Sequence, residues 1–120
     1  MTEEEVSKKY QIPMELLEKY ESWNLCDKKK ETPWKYDDFD LECLGMIMTL
    51  YEVGFTDREV EQYMRLCRKG EQTEEERIRM LTKKRQETLQ KIHLQEKQLE
   101  SLDYLRYQTR KGEEIYHESK

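Results

Sequence analysis

From Thr73 to about Gln108 the chain contains neither Gly nor Pro, and that stretch limits the possible folds more than any other. Thr73-Glu74-Glu75-Glu76 reads as a capping box that opens a helix. An uninterrupted helix from there reaches ~50 Å at ~1.5 Å per residue. A heptad fit puts Ile78, Leu81, Arg85, Thr88, Ile92, Gln95, Leu99 and Leu102 in one seam, flanked by Leu89, Leu94, Tyr104 and Leu105. So narrow a stripe cannot bury itself, which predicts a second helix alongside, as in a two-stranded coiled coil. The polar seam residues Arg85, Thr88 and Gln95 imply either moderate stability or a preferred register.

Composition agrees with a core completed by a partner. Only 35% of the 120 residues are hydrophobic and 41% are charged, too little apolar surface for a single small globule to offset its chain entropy. The abundance of Glu, Lys, Leu, Gln and Arg, with four Gly and two Pro, favours helix. Aromatic residues at 10% argue against simple disorder.

Ahead of the long helix the punctuation is regular. Thr2-Glu3-Glu4-Glu5 is a capping box for a helix to about Tyr10, with Val6 and Tyr10 expected on one face. Gln11-Ile12 makes a turn, and Pro13 suits the first position of a second helix, where its missing N–H is not needed. Leu16, Leu17, Tyr20 and Trp23 form that helix's apolar stripe, and Asn24 can take the left-handed conformation that ends it. The pair is a predicted helix-turn-helix. Residues 25–36 lack helical periodicity, and the alternation of Trp34-Lys35-Tyr36 after Lys28-Lys29-Lys30 predicts a small β-hairpin, or wing. Asp38 or Asp40 then caps a third helix carrying Leu41, Leu44, Ile47, Met48 and Tyr51, which Gly54 stops. Thr56-Asp57-Arg58-Glu59 opens a fourth with Val60, Tyr63 and Met64 on its apolar face, and Gly70 ends it. The expected organisation is a head at residues 1–70, a dimerisation helix at 71–110 and a frayed tail at 111–120.

Charge is unevenly placed. Residues 1–40 hold seven Lys or Arg against eleven Asp or Glu, residues 41–72 four against six, and residues 73–120 eleven against ten, within a net charge of −5. Acidic heads are unusual for DNA binders, because phosphate neutralisation supplies much of their affinity. Cys26, Cys43 and Cys67 are an odd set without a CxxC pair, which predicts free thiols in a reduced, cytosolic setting. Neither a secretory leader nor a membrane span is expected. His93 and His117 share no ligand spacing with a cysteine or with each other, so no metal or other cofactor is expected. The bland roles are packing for Cys43 and Cys67, a solvated position for His93, and core for Tyr36, Met46, Met48 and Met64. No phosphate loop, HExxH or activated nucleophile appears, so no enzyme is expected.

Taken in order, the pieces resemble a MerR-family regulator over about residues 2–108. The resemblance is carried by Ile12, Leu17, Tyr20-Glu21, Leu25, Trp34-Lys35-Tyr36, Asp40, Leu44, Ile47, Gly54-Phe55-Thr56 and Glu59-Val60. It implies a mainly α fold: a winged helix-turn-helix head and a long helix that forms an antiparallel coiled-coil homodimer. It also implies binding to pseudo-palindromic promoter DNA, with the second helix in the major groove, the wing on the backbone, and effectors deciding whether the DNA is twisted. The DNA-facing set carried over is Met14, Glu15, Glu18, Lys19, Lys28, Lys29, Lys30, Trp34, Lys35 and Arg58.

The departures cluster on the second helix. Glu18 stands where the family has its DNA-contacting Arg, Lys19 where it has a Tyr, Pro13 for Ser, Leu16 for a polar residue, and Asn24 for Gly. A carboxylate at a phosphate surface replaces attraction with repulsion, although it can accept from a cytosine amino group. Two readings follow. One is a homodimeric DNA-binding regulator without a separate effector domain, partnered by itself and by double-stranded DNA. The other is a protein-binding module on the same scaffold, its acidic helix face turned to a protein.

Overall fold

The structure is a computed structural model that describes residues 1–25 and 34–112. Five α-helices follow one another among them: α1 (Glu3–Tyr10), α2 (Met14–Trp23), α3 (Asp38–Glu52), α4 (Asp57–Lys69) and α5 (Glu74–Lys111). A single 3-10 turn, Glu71–Thr73, joins α4 to α5. The chain divides into two compact units, residues 1–81 and 82–120, and the division falls within α5.

The starts of α1, α3 and α4 are set by reciprocal side-chain caps. Thr2 Oγ1 accepts from the Glu5 N–H at 3.2 Å while Glu5 Oε1 accepts from the Thr2 N–H at 3.0 Å. Thr56 and Glu59 repeat the arrangement at α4. Each such cap typically contributes ~1 kcal/mol by occupying N–H groups that have no helical partner. The third helix departs from expectation, because Asp37 rather than Asp38 or Asp40 is its cap. Asp40 instead closes the box, accepting from the Asp37 N–H at 3.0 Å, and its second oxygen accepts from the Tyr20 hydroxyl at 2.5 Å. A fully buried carboxylate needs such donors, so Asp40 is a core residue that locks α2 to α3.

The core of the first unit is built from one face of each helix. Val6, Ile12, Leu17, Tyr20 and Trp23 meet Leu44, Ile47 and Leu50 of α3 and Val60, Tyr63 and Met64 of α4. Two expected stripe members differ. Tyr10 is half-exposed at the last position of α1, and Met48 is exposed while Leu50 is buried, because α3 turns its Leu44–Ile47–Leu50 edge inward. Met46 is likewise exposed, so of the methionines read as core Met64 alone is buried. Pro13 lies one residue earlier than expected, as the cap of α2, and its carbonyl accepts from the Leu16 and Leu17 N–H groups. Gln11 and Asn24 end α1 and α2 in the left-handed region at φ 55° and 52°. Asn tolerates that region because its short polar side chain bonds locally.

No strand occurs among the described residues. Trp34–Tyr36, expected as a wing strand, is instead irregular chain whose Tyr36 exchanges backbone bonds with Met1, N–H to carbonyl at 2.7 Å and ammonium to carbonyl at 2.9 Å. Lys28, Lys29, Lys30 and Cys26, and the tail from residue 113, lie outside the described residues. The Tyr36 ring is buried and stacks on Tyr20 at 6.2 Å, and the half-buried Trp34 ring meets Tyr20 edge-on at 6.1 Å.

Candidate nucleic-acid interface and self-association surface

The α2 helix has two unlike faces. Leu16, Leu17, Tyr20 and Trp23 are buried, while Met14, Glu15, Glu18, Lys19 and Ser22 are exposed. The helix is anchored by one tyrosine and two arginines from outside it. The Tyr36 hydroxyl donates to Glu21, and the Arg65 and Arg68 guanidinium groups donate to the Trp23 and Asn24 carbonyls at 3.1 and 3.2 Å. Those carbonyls end α2 and lack helical partners, so α4 supplies a C-terminal cap that also opposes the helix dipole. The exposed face is thereby held on a rigid support.

Its electrostatics are acidic. Glu3 has its carboxyl raised, by partial burial first and then by Glu21, Glu18 and Glu4, which means that acids of α1 and α2 share one field. Lys19, next to Glu18 on α2, is held by Asp57, Nζ to Oδ2 at 2.9 Å, with both side chains exposed. The Tyr51 hydroxyl also donates to Asp57, at 2.6 Å. Together these donors hold the Asp57 carboxyl below its ordinary value. Sequence reading missed this pairing of a candidate phosphate-binding lysine, since its partner is 38 positions away.

The other candidates are spread around this face. Lys35 and Arg58 are exposed, Arg58 in the first turn of α4. Between α2 and α3 runs a groove of about 270 Å³ lined by Pro13, Glu15, Leu16, Lys19, Met48 and Tyr51. A second groove, of about 330 Å³, is lined by Tyr10, Ile12, Leu41, Leu44, Gly45 and Met48. Both share Met48.

The α5 helix is 38 residues long and buries none of its side chains. Ile78, Leu81, Ile92, Leu99 and Leu102 of the expected seam are exposed, as are Arg85, Thr88 and Gln95. Its apolar surface is wider than one seam. A groove of about 530 Å³ is lined by Leu94, Lys97, Gln98, Ser101, Leu102 and Leu105, of which only Leu102 belongs to the heptad positions. At about 100° per residue, Leu94 lies roughly 140° around the helix from Leu99. His93 is exposed. Among the described residues no three His, Cys, Asp or Glu side chains come together as metal ligands, and no helix is long and apolar enough to cross a membrane.

Comparison with solved structures places this architecture among known folds. The chain is similar to a protein assigned to the MerR family of transcriptional regulators from Listeria monocytogenes, with a TM-score of 0.68 and 23% identity over 91% of this chain and 85% of that one. It is similar to a MerR family transcriptional regulator from Bacillus thuringiensis, with a TM-score of 0.61 and 19% identity over 90% and 97%. It is also similar to HiNmlR, described as a MerR family regulator lacking the sensor domain, bound to promoter DNA, with a TM-score of 0.65 and 19% identity over 95% and 93%. No curated protein matches the sequence significantly. The description "MerR HTH family regulatory protein" matches residues 1–67, more than half of the chain, in the part that holds the helix-turn-helix and the α3–α4 pair. By that match the chain belongs to the MerR helix-turn-helix family of regulatory proteins.

Proposed function

We propose that this chain is a transcription regulator that binds duplex DNA as a homodimer, presenting α2 to the major groove and pairing through α5. The observation that carries the reading is the second helix of an intact helix-turn-helix, with one face buried and anchored and the other in solvent, in a member of a regulator family. Likeness to HiNmlR, described as bound to promoter DNA and lacking a sensor domain, supports the DNA partner and a mode of action without a separate effector domain. Met14, Glu15, Glu18 and Lys19 are the groove-facing set, with Trp34 beside them. Lys35 and Arg58 meet phosphates, joined by Lys28, Lys29 and Lys30. Pairing is antiparallel and uses Ile78, Leu81, Arg85, Thr88, Ile92, Gln95, Leu99 and Leu102. A 38-residue helix with no buried side chain supports it, since such a stripe needs a partner helix. The domain limits that fit this reading are a head at 1–70, a pairing helix at 71–110 and a tail beyond.

A second reading is favoured by the acidic field of Glu3, Glu4, Glu18 and Glu21 and by the engagement of Lys19 with Asp57. Under it the α2 face meets a protein. The two readings separate in a salt series on random duplex DNA. The DNA reading expects affinity to fall steeply with salt, with a log–log slope of about −0.9 for each phosphate neutralised. Changing Lys28, Lys29 and Lys30 together to Ala then weakens binding across sequences and flattens that slope. Absence of binding at low salt, with Glu18→Arg creating it, overturns the DNA reading in favour of a protein partner.

A further inference from the structure

The outer face of α3 carries a stripe that is apolar in the middle and acidic at both ends. Asp38, Leu41, Gly45, Met48 and Glu52 recur at three- and four-residue spacing along the helix. At about 100° per residue they fall within roughly 80° of one another around its axis. Leu41 is partly buried and the other four are exposed. Both grooves of the head lie along this stripe and adjoin at Met48. Tyr10 and Ile12 flank the part at Leu41 and Gly45, and Pro13, Leu16 and Glu15 flank the part that runs to Tyr51. Together they make an elongated trough between α3 and the α1–α2 turn. Gly45 lies at its centre. Glycine in a helix interior is less stable than alanine, and a tightly packed neighbour is the usual reason for one. A Cβ at Gly45 would meet nothing within 4 Å, so packing within the head supplies no such reason. A helix laid across α3 supplies it, because the separation of two packed helices is set by the side chains at their contact.

Charge identifies the occupant. Asp38 and Glu52 bracket the stripe ~21 Å apart along the axis, at ~1.5 Å per residue. Glu15 edges the trough, and Lys19 on the same edge is engaged by Asp57. A rim of this sign repels nucleic acid. It also opposes a second copy of the same stripe, since antiparallel pairing sets Asp38 against Glu52 and parallel pairing sets each acid against itself. We propose that the trough docks an amphipathic helix of another protein, one whose apolar stripe carries a Lys or Arg near each end. Recognition of that kind draws affinity from apolar anchors at i, i+3, i+4 and i+7, while the rim charges set orientation and salt dependence. The trough shares Glu15 and Lys19 with the set assigned to DNA but is centred on Gly45, outside that set, so the inference rests on neither reading of α2.

The probe is a synthetic, fluorescein-labelled helix of about five turns, with leucines at three- and four-residue spacing and lysines at both ends of that stripe. The same peptide with glutamates in place of the lysines is its control. Binding to the full-length chain is followed by fluorescence anisotropy, and the site is mapped by backbone amide NMR shifts. The lysine peptide should bind, the glutamate peptide should not, and the shifted amides should centre on Leu41 to Met48. Gly45→Leu should weaken binding about tenfold or more by filling the trough. Asp38→Lys and Glu52→Lys together should reverse the preference between the two peptides. Gly45→Ala separates docking from folding, because it should raise the melting temperature through helix propensity and yet weaken binding. Failure of the lysine peptide to bind, binding unchanged in both Gly45 variants, or shifts confined to α5 or to the exposed face of α2 overturns the docking site. Loss of self-association in Gly45→Leu overturns it as well, by assigning the trough to a second copy.

Discussion

The head and the long helix are built from similar apolar residues and treat them in opposite ways. Leu17, Leu44, Ile47 and Val60 are almost wholly buried in the head, whereas Leu94, Leu99, Leu102 and Leu105 are each more than half exposed on α5. Short connections let α1 to α4 fold back on one another and bury facing stripes. One helix cannot pack on itself, so α5 leaves its stripe in solvent. Leucine content therefore says little about burial. The connections between elements decide it.

That contrast can be broken or sharpened by substitution. The largest effect is expected for Leu17→Ala, which opens a cavity in the head and should cost about 2–5 kcal/mol in chemical denaturation of the full chain. Leu99→Ala should leave the head's unfolding unchanged, and equal losses from the two would dissolve the distinction. Leu99→Glu tests the pairing proposal, since it places a charge in the seam. Self-association measured by sedimentation should weaken roughly a hundredfold, about 2.7 kcal/mol, with circular dichroism of the head retained. A dimer as tight as the parent's would refute the seam register.

A smaller loss is expected from Tyr20→Phe. It removes the hydroxyl that Asp40 accepts from and leaves a fully buried carboxylate short of a donor, at a cost of about 1–3 kcal/mol. Phe is tolerated there sterically, so a neutral outcome would show that Asp40 finds another donor. Smaller again is Asp57→Asn, which frees Lys19 from its exposed ion pair. Under the DNA reading it should raise affinity for random duplex a few-fold, while unchanged affinity would remove Lys19 from the contact set.

The smallest effects are titrations, and two carboxyls of the head should move in opposite directions. The Lys19 ammonium and the Tyr51 hydroxyl hold Asp57 below its ordinary value. Its contribution is complete at neutral pH and is lost only as pH falls through that lowered value. Glu3 is raised by burial and neighbouring acids, so it opposes folding at neutral pH, and that penalty is relieved as pH falls through the raised value. Carboxyl NMR across pH 2–7 (a range set by ordinary carboxyl values near about 4) checks both signs. Coincident midpoints would remove the shared acidic field.

The fold was more legible than the site, and the residues show why. Of the residues that carry the family resemblance, Ile12, Leu17, Tyr20, Leu25, Tyr36, Asp40, Leu44, Ile47, Phe55 and Val60 are buried, while Lys35, Gly54 and Thr56 are exposed. The buried ones announce themselves through periodicity and capping because packing restricts what can stand there. Glu15, Glu18 and Lys19 are legible as departures but not as a working surface. Their effect depends on neighbours such as Asp57, Glu3 and Glu21, which only folding brings near.

By itself the sequence determined the helices, their caps at Thr2 and Thr56, their stops at Asn24, Gly54 and Gly70, and the unsatisfied stripe of α5. These are short-range consequences of backbone hydrogen bonding and side-chain period, which act between residues a few positions apart. Tertiary structure alone decided that Asp37 rather than Asp38 or Asp40 caps α3, that Asp40 belongs to the core, that Arg65 and Arg68 cap α2, and that Lys19 answers to Asp57. The reason is physical: a buried carboxylate, an open helix end or an exposed lysine is satisfied by whichever group the chain brings within hydrogen-bonding distance. For these residues that group comes from another element.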